Sequence, residues 1–154
     1  MERLSYANAA PGVYQTMRVM HEYLQQCGIE HRLLNLVYLR ASQINGCAFC
    51  IDMHWKDLRA EGVSEQQLYM LDAWREWQEY SDRERAALEW TEAVTRLQGG
   101  DVPDAVYDQA RAQFDEAELA NLTLALCAIN SWNRLNVAFR RKAGSYRAPV
   151  ARAE

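Results

Sequence analysis

The sequence has little proline and almost no stretch of alternating polar and apolar residues. Only three of its 154 residues are proline, and all lie at apparent helix boundaries: Pro11, Pro103 and Pro149. Proline is absent between residues 12 and 102, where apolar residues instead recur at spacings of three and four. Sustained period-two alternation, which is typical of half-buried strands, is nearly missing. The pattern predicts an all-α protein.

The chain also lacks a strong charge imbalance and long apolar runs. Its 17 basic and 21 acidic residues give a net charge of -4, and its one short basic run covers residues 140–142, so nothing indicates a nucleic-acid partner. No leading segment resembles a signal peptide, and no apolar run reaches the roughly 18 residues that a membrane span requires. We therefore expect a cytoplasmic protein with no nucleic-acid partner and no membrane partner.

The length fits a single domain with a substantial core. Capping residues and apolar periodicity predict one compact bundle of about six to seven helices within residues 1–143, followed by a loosely ordered tail over residues 144–154. The expected helices cover residues 11–26, 30–43, 47–62, 64–74, 81–97, 103–113 and 115–142. The second helix is apolar around much of its circumference and the last has an apolar centre, so we expect both to be largely buried.

The four cysteines fall into two kinds. Without a signal peptide they do not indicate a structural disulfide framework. Cys27 and Cys127 stand alone in predicted helices, and we expect both to be small buried apolar side chains. Cys47 and Cys50 are three residues apart, and His54 follows four residues later. On a helix all three side chains project from one face, which makes this segment the expected functional centre.

The spacing Cys-x-x-Cys-x-x-x-His fits a redox-active dithiol with an acid/base partner. The thiolate is the reactive form of cysteine, and unpaired N–H groups at a helix N-terminus lower the pKa of a nearby thiol. We expect Cys47 at or just before the helix start, Cys50 in the first turn, and His54 one turn further on, where it can accept or return a proton. Such a dithiol can reduce a peroxide through a sulfenic acid that condenses to a disulfide.

Other interpretations of these residues remain open on spacing alone. Zinc bound by Cys47, Cys50 and His54 lacks the second ligand pair that would complete a structural site. A thioredoxin-like motif requires a preceding strand, whereas residues 36–44 have helical spacing, and a c-type haem requires histidine where Ile51 stands. The cysteines could also be incidental to a structural helix. We expect no metal and no cofactor other than the Cys47–Cys50 disulfide.

The segment from Leu39 to His54, LRASQINGCAFCIDMH, closely resembles the signature of the carboxymuconolactone decarboxylase superfamily in its alkylhydroperoxidase (AhpD-like) branch. Residues 81–88, 102–103 and 128–135 agree with it. The resemblance implies an all-helical fold, homo-oligomers that are commonly trimers or hexamers, and thiol peroxidase activity on organic hydroperoxides.

The resemblance also implies roles for individual residues. Cys50 matches the cysteine that attacks the hydroperoxide, Cys47 matches the one that resolves the intermediate, and His54 matches a histidine of the proton relay. Reduction of the disulfide would come from a dithiol donor protein or a lipoyl group. The branch that decarboxylates a lactone needs no cysteine pair, so both cysteines argue against that reaction here.

One position departs from the family pattern. The relay usually includes a glutamate twelve residues before the first cysteine, where this chain has Asn35. An amide can hydrogen-bond but cannot exchange a proton as a carboxylic acid does. His31, one helical turn earlier, is a possible replacement, Glu30 and Asp52 are weaker ones, and water beside His54 is a further route. The alternative function is a non-turnover redox sensor or an oligomeric binding protein on the same fold.

Overall fold

The computed structural model describes residues 2–149, and all regular structure in that range is helical. Eight α-helices follow one another along the chain: α1 (Tyr6–Ala9), α2 (Pro11–Leu24), α3 (His31–Ile44), α4 (Ala48–Ala60), α5 (Glu65–Tyr69), α6 (Asp82–Arg96), α7 (Asp104–Gln113) and α8 (Glu116–Ala138). Short 3-10 helices follow α5 (Met70–Ala73) and α6 (Gln98–Gly100). The all-α prediction is confirmed for these residues. The helices outnumber the predicted six to seven because α1, only four residues long, is too short to give a periodic pattern.

Capping residues fix several of the helix starts. Ser81 and Asp115 each form a complete capping box, with Glu84 and Glu118 respectively. These boxes satisfy backbone N–H groups that have no partner inside the helix. At its other end α8 stops at Ala138, earlier than the predicted residue 142. The chain leaves the helix there because residue 140 adopts a left-handed conformation, with φ of 54°.

Helix α3 occupies the centre of the bundle, in contact with α4, α6 and α8. Its residues 33–34 and 36–42 are all buried, as its apolar circumference predicts. Helix α8 contributes Leu122, Ala125 and Leu126 to the same core, and all three are fully buried. Burying a leucine side chain stabilises a fold by about 1.5–3 kcal/mol, so this contact supplies much of the driving force. Among residues 2–149 no helix is long and apolar enough to cross a membrane.

A buried carboxylate joins α3, α6 and the segment between them. Glu92 accepts hydrogen bonds from Arg40 Nε at 2.9 Å, Trp74 Nε1 at 2.9 Å, Arg75 Nη1 at 3.0 Å and Arg96 Nη1 at 2.6 Å. Burial raises the pKa of this carboxyl, but the four donors outweigh burial and hold the pKa at about 2. Glu92 therefore stays charged in the interior, where its hydrogen bonds link α3, α6 and the segment between them.

The chain after α8 returns across α4. Gly144 N–H donates to Asp52 Oδ2 at 3.0 Å, Lys56 Nζ donates to the Tyr146 carbonyl at 3.1 Å, and the Tyr146 hydroxyl donates to Asp57 Oδ1 at 2.6 Å. Residues 144 and 146 of the predicted loose tail therefore make specific contacts with α4. The end of that tail, residues 150–154, lies outside the described residues.

Candidate active site

The two neighbouring cysteines lie where α3 ends and α4 begins. Gly46, with φ of 65°, turns the chain between the helices, and Cys47 is the N-cap residue of α4. Cys50 is the third residue of the helix, so both cysteines occupy the predicted positions. Their Sγ atoms are 2.7 Å apart, and the residues are only 1% and 0% exposed. The dithiol is thus preformed and shielded from bulk solvent.

The surroundings of the two sulfurs favour one thiolate and one thiol. The hydrogen bond from the Cys47 thiol lowers the pKa of Cys50; burial opposes this, and the amides of Asn136 and Asn133 and the hydroxyl of Ser42 lower it further. Asn136 Nδ2 lies 3.2 Å from Cys50 Sγ. The same hydrogen bond, together with burial, raises the pKa of Cys47. Cys50 is therefore the more nucleophilic sulfur.

A chain of donors leads from the protein surface to Cys50. Arg141 Nη1 donates to the Tyr6 hydroxyl at 3.2 Å, and that hydroxyl donates to Asn136 Oδ1 at 2.9 Å. The amide of Asn136 is thereby fixed with its N–H groups towards the sulfur. Sequence reasoning did not identify these three residues. The signal available was a pair of asparagines, Asn133 and Asn136, three apart on an otherwise apolar helix, where buried amides need partners.

The partners of His54 determine which of its ring nitrogens carries hydrogen. Asn35 Nδ2 donates to the Glu61 carboxylate at 2.8 Å, and Asn35 Oδ1 lies 3.2 Å from His54 Nδ1. Because a carboxylate only accepts, the amide must present its oxygen to the ring, and Nδ1 must be the protonated nitrogen. Nε2 is buried, has no hydrogen-bond partner among the described residues, and keeps its lone pair.

His54 is neutral at physiological pH. Burial lowers its pKa to about 3, and the nearby His21 imidazole contributes in the same direction. Asp57 Oδ2 lies 3.9 Å from Nδ1, and burial raises the pKa of that carboxyl against the opposing hydrogen bond from Tyr146. A neutral imidazole with a free Nε2 and a carboxylate beside Nδ1 can accept a proton and stabilise the resulting charge. Asp57 was missed, although its spacing of three from His54 was a usable signal.

The other predicted relay groups have different partners. His31 Nε2 lies 3.0 Å from the Gln25 carbonyl, on the exposed side of α3. Glu30 pairs with an arginine of α6, and Asp52 pairs with a lysine one turn along α4. Within residues 2–149 none of the three bonds to His54, and no group of three His, Cys, Asp or Glu side chains converges as metal ligands would. Asn35 is the one predicted relay position that contacts His54.

The two remaining cysteines lie away from this site. Cys27 is half-buried just after α2 and packs against the core. Cys127 is exposed, so the prediction that it is buried is wrong. It lies on α8 between Leu126 and Ala128, which face the core, and its own position turns to the outer face. A helix that buries one face in the core still exposes the opposite face to solvent. The residue type of Cys127 alone did not indicate that it lies on the exposed face.

Cys50 and His54 line a cavity of about 340 Å³. Most of the wall is apolar, and five of the lining residues are aromatic: Tyr14, Tyr38, Phe49, Trp132 and Tyr146. The volume lies within the range of about 300–1,000 Å³ typical of small-molecule sites. An apolar chamber with a thiolate and a neutral base in its wall can hold an organic molecule against the reactive sulfur.

The fold and the site define an all-helical, AhpD-like protein with a buried Cys-x-x-Cys pair. Residues 11–93 match the carboxymuconolactone decarboxylase family, and the chain belongs to that family. The uncharacterized protein YdfG of Bacillus subtilis (strain 168) is 42% identical over 144 residues, which cover 94% of this chain and 98% of YdfG. The resemblance found in the sequence is therefore confirmed.

Solved structures agree on the fold. ATU0492 of Agrobacterium tumefaciens, a protein of unknown function suggested to be the antioxidant defence protein AhpD, is 42% identical. It matches with a TM-score of 0.90 over 95% of this chain and 100% of its own. The alkylhydroperoxidase AhpD core of Ralstonia eutropha JMP134, an uncharacterized peroxidase-related protein, is 15% identical. It matches with a TM-score of 0.79 over 90% of this chain and 74% of its own, and so shares the fold.

Proposed function

We propose that this protein is a thiol-dependent peroxidase of the alkylhydroperoxidase type, which reduces organic hydroperoxides through a Cys47–Cys50 dithiol/disulfide cycle. One observation carries the proposal. Cys50 Sγ, 2.7 Å from the Cys47 sulfur and 3.2 Å from the Asn136 amide, lies in the wall of an apolar cavity that His54 also lines. A stabilised thiolate and a base thus line one cavity, and the resolving thiol of Cys47 is in contact with the thiolate.

The cycle has two chemical steps. The Cys50 thiolate attacks the terminal peroxide oxygen, the O–O bond breaks, and the alkoxide leaves and takes up a proton as the alcohol. Cys50 is then a sulfenic acid. The Cys47 thiol loses its proton, its sulfur attacks the Cys50 sulfur, and hydroxide departs as water, leaving a disulfide. Because the Cys47 pKa is raised, this second step needs a base, and we assign that role to His54 Nε2.

Two carboxylates support His54 in place of the family glutamate. Glu61 orients Asn35, which fixes the ring tautomer through its oxygen 3.2 Å from Nδ1. Asp57, 3.9 Å from Nδ1, stabilises the imidazolium that forms when Nε2 accepts a proton. The Asn35 amide therefore positions His54, and the Asp57 carboxylate supplies the negative charge beside the ring.

The cycle closes by reduction of the disulfide. A dithiol protein or a lipoyl group reduces it by thiol–disulfide exchange, so no further cofactor is needed. We propose a cytoplasmic setting, since reductants there keep such pairs reduced.

We further propose a homo-oligomer, a trimer or a hexamer. Two large apolar side chains on the outer face of α2 support it: Val19 is 66% exposed and Tyr23 is 55% exposed. Light scattering tests the assembly independently of catalysis, and a monomer would contradict this part of the proposal.

A free-thiol count tests the peroxidase proposal. Reduced, metal-free protein is treated with one equivalent of cumene hydroperoxide, and thiols are counted before and after. We expect loss of two of the four thiols in the unmodified protein. The Cys50→Ser variant should lose none, and Cys47→Ser should hold a sulfenic acid that a dimedone reagent traps. Retention of all thiols over minutes would contradict the proposal.

The alternative, a redox sensor without efficient turnover, is favoured by one observation: Asn35 stands where the family has a proton-exchanging glutamate. Under steady-state reduction, a sensor should form the disulfide but turn over slowly. Asn35→Glu distinguishes the two, since adding a general acid/base typically changes a rate by about 10²–10⁴-fold. A sharp rise in turnover favours the sensor for the natural chain, whereas an unchanged rate means that the proton route avoids position 35.

A further inference from the structure

We propose that the cavity selects hydroperoxides whose apolar, ring-sized body ends in a carboxylate, with the hydroperoxide group at Cys50 and the carboxylate on Arg141. This rests on the proposed function and names the substrate class. It follows from the sign of the charges around an apolar cavity, from the preorganisation of one guanidinium, and from the size of the cavity that this group and the sulfur both line.

Apart from the Cys50 thiolate, the charged side chains of the cavity are basic. Arg18, His21 and Arg141 line it, and none of the described lining residues carries a carboxylate. Arg18 forms an ion pair with Glu22, which compensates its charge. Burial lowers the pKa of His21, which favours its neutral form. Arg141 pairs with no carboxylate among the described residues, so it supplies the uncompensated positive charge.

The Arg141 guanidinium is held in place by two contacts. Its central carbon lies 3.9 Å from the centre of the Phe49 ring, and Nη1 donates to the Tyr6 hydroxyl. The remaining N–H groups have no protein acceptor within residues 2–149, and the residue is exposed at the cavity mouth. A planar guanidinium with a fixed orientation and free donors matches a carboxylate in a bidentate arrangement, at little further cost in side-chain entropy.

The cavity that Arg141 and Cys50 both line suits a substrate with an aromatic or similarly bulky group. Trp132 stacks edge-on with Tyr14 at 5.9 Å, and both form part of the wall. The cavity of about 340 Å³ is much larger than the share of about 30 Å³ that one water occupies, so hydrogen peroxide leaves most of the wall uncontacted. The Cys50 thiolate repels an anion, which directs the carboxylate to the arginine and the neutral hydroperoxide to the sulfur.

Binding of redox-inert probes tests this inference separately from catalysis. Calorimetric titration of full-length Cys50→Ser protein compares 4-isopropylbenzoate with 4-isopropylbenzamide, which share the ring and differ in charge. We expect the carboxylate to bind at least about tenfold more tightly, the effect of one charge-assisted contact, and the preference to shrink as salt is added. Equal affinity for the two probes, or no binding of either, would overturn the inference.

Variants then locate the contact. Arg141→Met should reduce the carboxylate preference to near one, and Arg141→Lys should retain part of it. Lys142→Met, which removes the neighbouring exposed charge but not a lining residue, should leave the preference unchanged. A preference that survives Arg141→Met, or falls equally with Lys142→Met, refutes the assignment to Arg141.

The thiol count and the binding test can fail independently of each other. If the thiol count succeeds and the binding test fails, the peroxidase proposal stands without this selectivity. If the binding test succeeds and the thiol count fails, the cavity binds anions without peroxidase chemistry.

Discussion

Replacing Asn136 by alanine should raise the pKa of Cys50 and slow its reaction with peroxide. The Asn136 amide donates to Cys50 Sγ at 3.2 Å, and the residue is only 4% exposed, so water cannot readily replace the lost donor. A hydrogen bond to a charged group contributes about 1.5–3 kcal/mol. Its loss from the thiolate form corresponds to a rise of about one to two pKa units. Since the pKa of Cys50 in the natural chain is about 7, the thiolate fraction at neutral pH should fall by roughly five- to fiftyfold.

The assay is the pH dependence of alkylation by iodoacetamide, with Cys27 and Cys127 both replaced by alanine so that only the dithiol reacts. Asn121→Ala is the matched control, because it removes a half-buried amide from the same helix, one that bonds instead to the Cys27 carbonyl. Thermal unfolding checks that both variants are folded. A Cys50 titration that is identical in Asn136→Ala and in the control would refute the view that this amide stabilises the thiolate.

Three further outcomes follow from the same structure. Cys50 should be alkylated with a midpoint below the ordinary thiol value of about 8.5. Glu61→Gln should let the Asn35 amide reverse, so that nitrogen NMR detects mixed His54 tautomers where the natural chain has one. Glu92→Gln should cost about 3–5 kcal/mol in urea unfolding, because it removes a charged partner of the buried Arg40. Since the folded pKa of Glu92 is lowered to about 2, its stabilisation is present above the ordinary value of about 4.3 and is lost as pH falls towards 2, which the variant should not display.

The fold was largely predictable because its signals are local. Ser81 and Asp115 specify helix starts through contacts three residues away, and the buried circumference of α3 is visible as an apolar pattern. The end of α8 was not predictable in the same way. Arg140 takes the left-handed conformation that glycine usually supplies, whereas the visible glycine, Gly144, lies further along. The deciding contacts of the returning segment are with α4, far away in the chain.

The candidate site was predictable from the sequence only where its residues are close together in the chain. Cys47, Cys50 and His54 lie within one short segment, so their spacing places them on one face of one helix. The groups that tune them come from distant positions: Asn136 is 86 residues from Cys50, and Tyr6 is 130 residues from Asn136. No periodicity within a helix encodes such pairings, which arise only when α1, α4 and α8 pack together.

The substitution at position 35 separates two tasks that a glutamate would combine. A carboxylic acid at this position could both orient the imidazole and exchange its proton, whereas Asn35 can only orient it. The chain nevertheless retains carboxylates near the ring: Glu61 binds the far side of the amide at 2.8 Å, and Asp57 lies 3.9 Å from Nδ1. Burial lowers the pKa of His54 to about 3 and raises that of Asp57 above its ordinary value, so the carboxylate becomes the more basic of the two groups. The departure at position 35 therefore leaves the carboxylic acid on α4 and not on α3, while the orientation of His54 is kept.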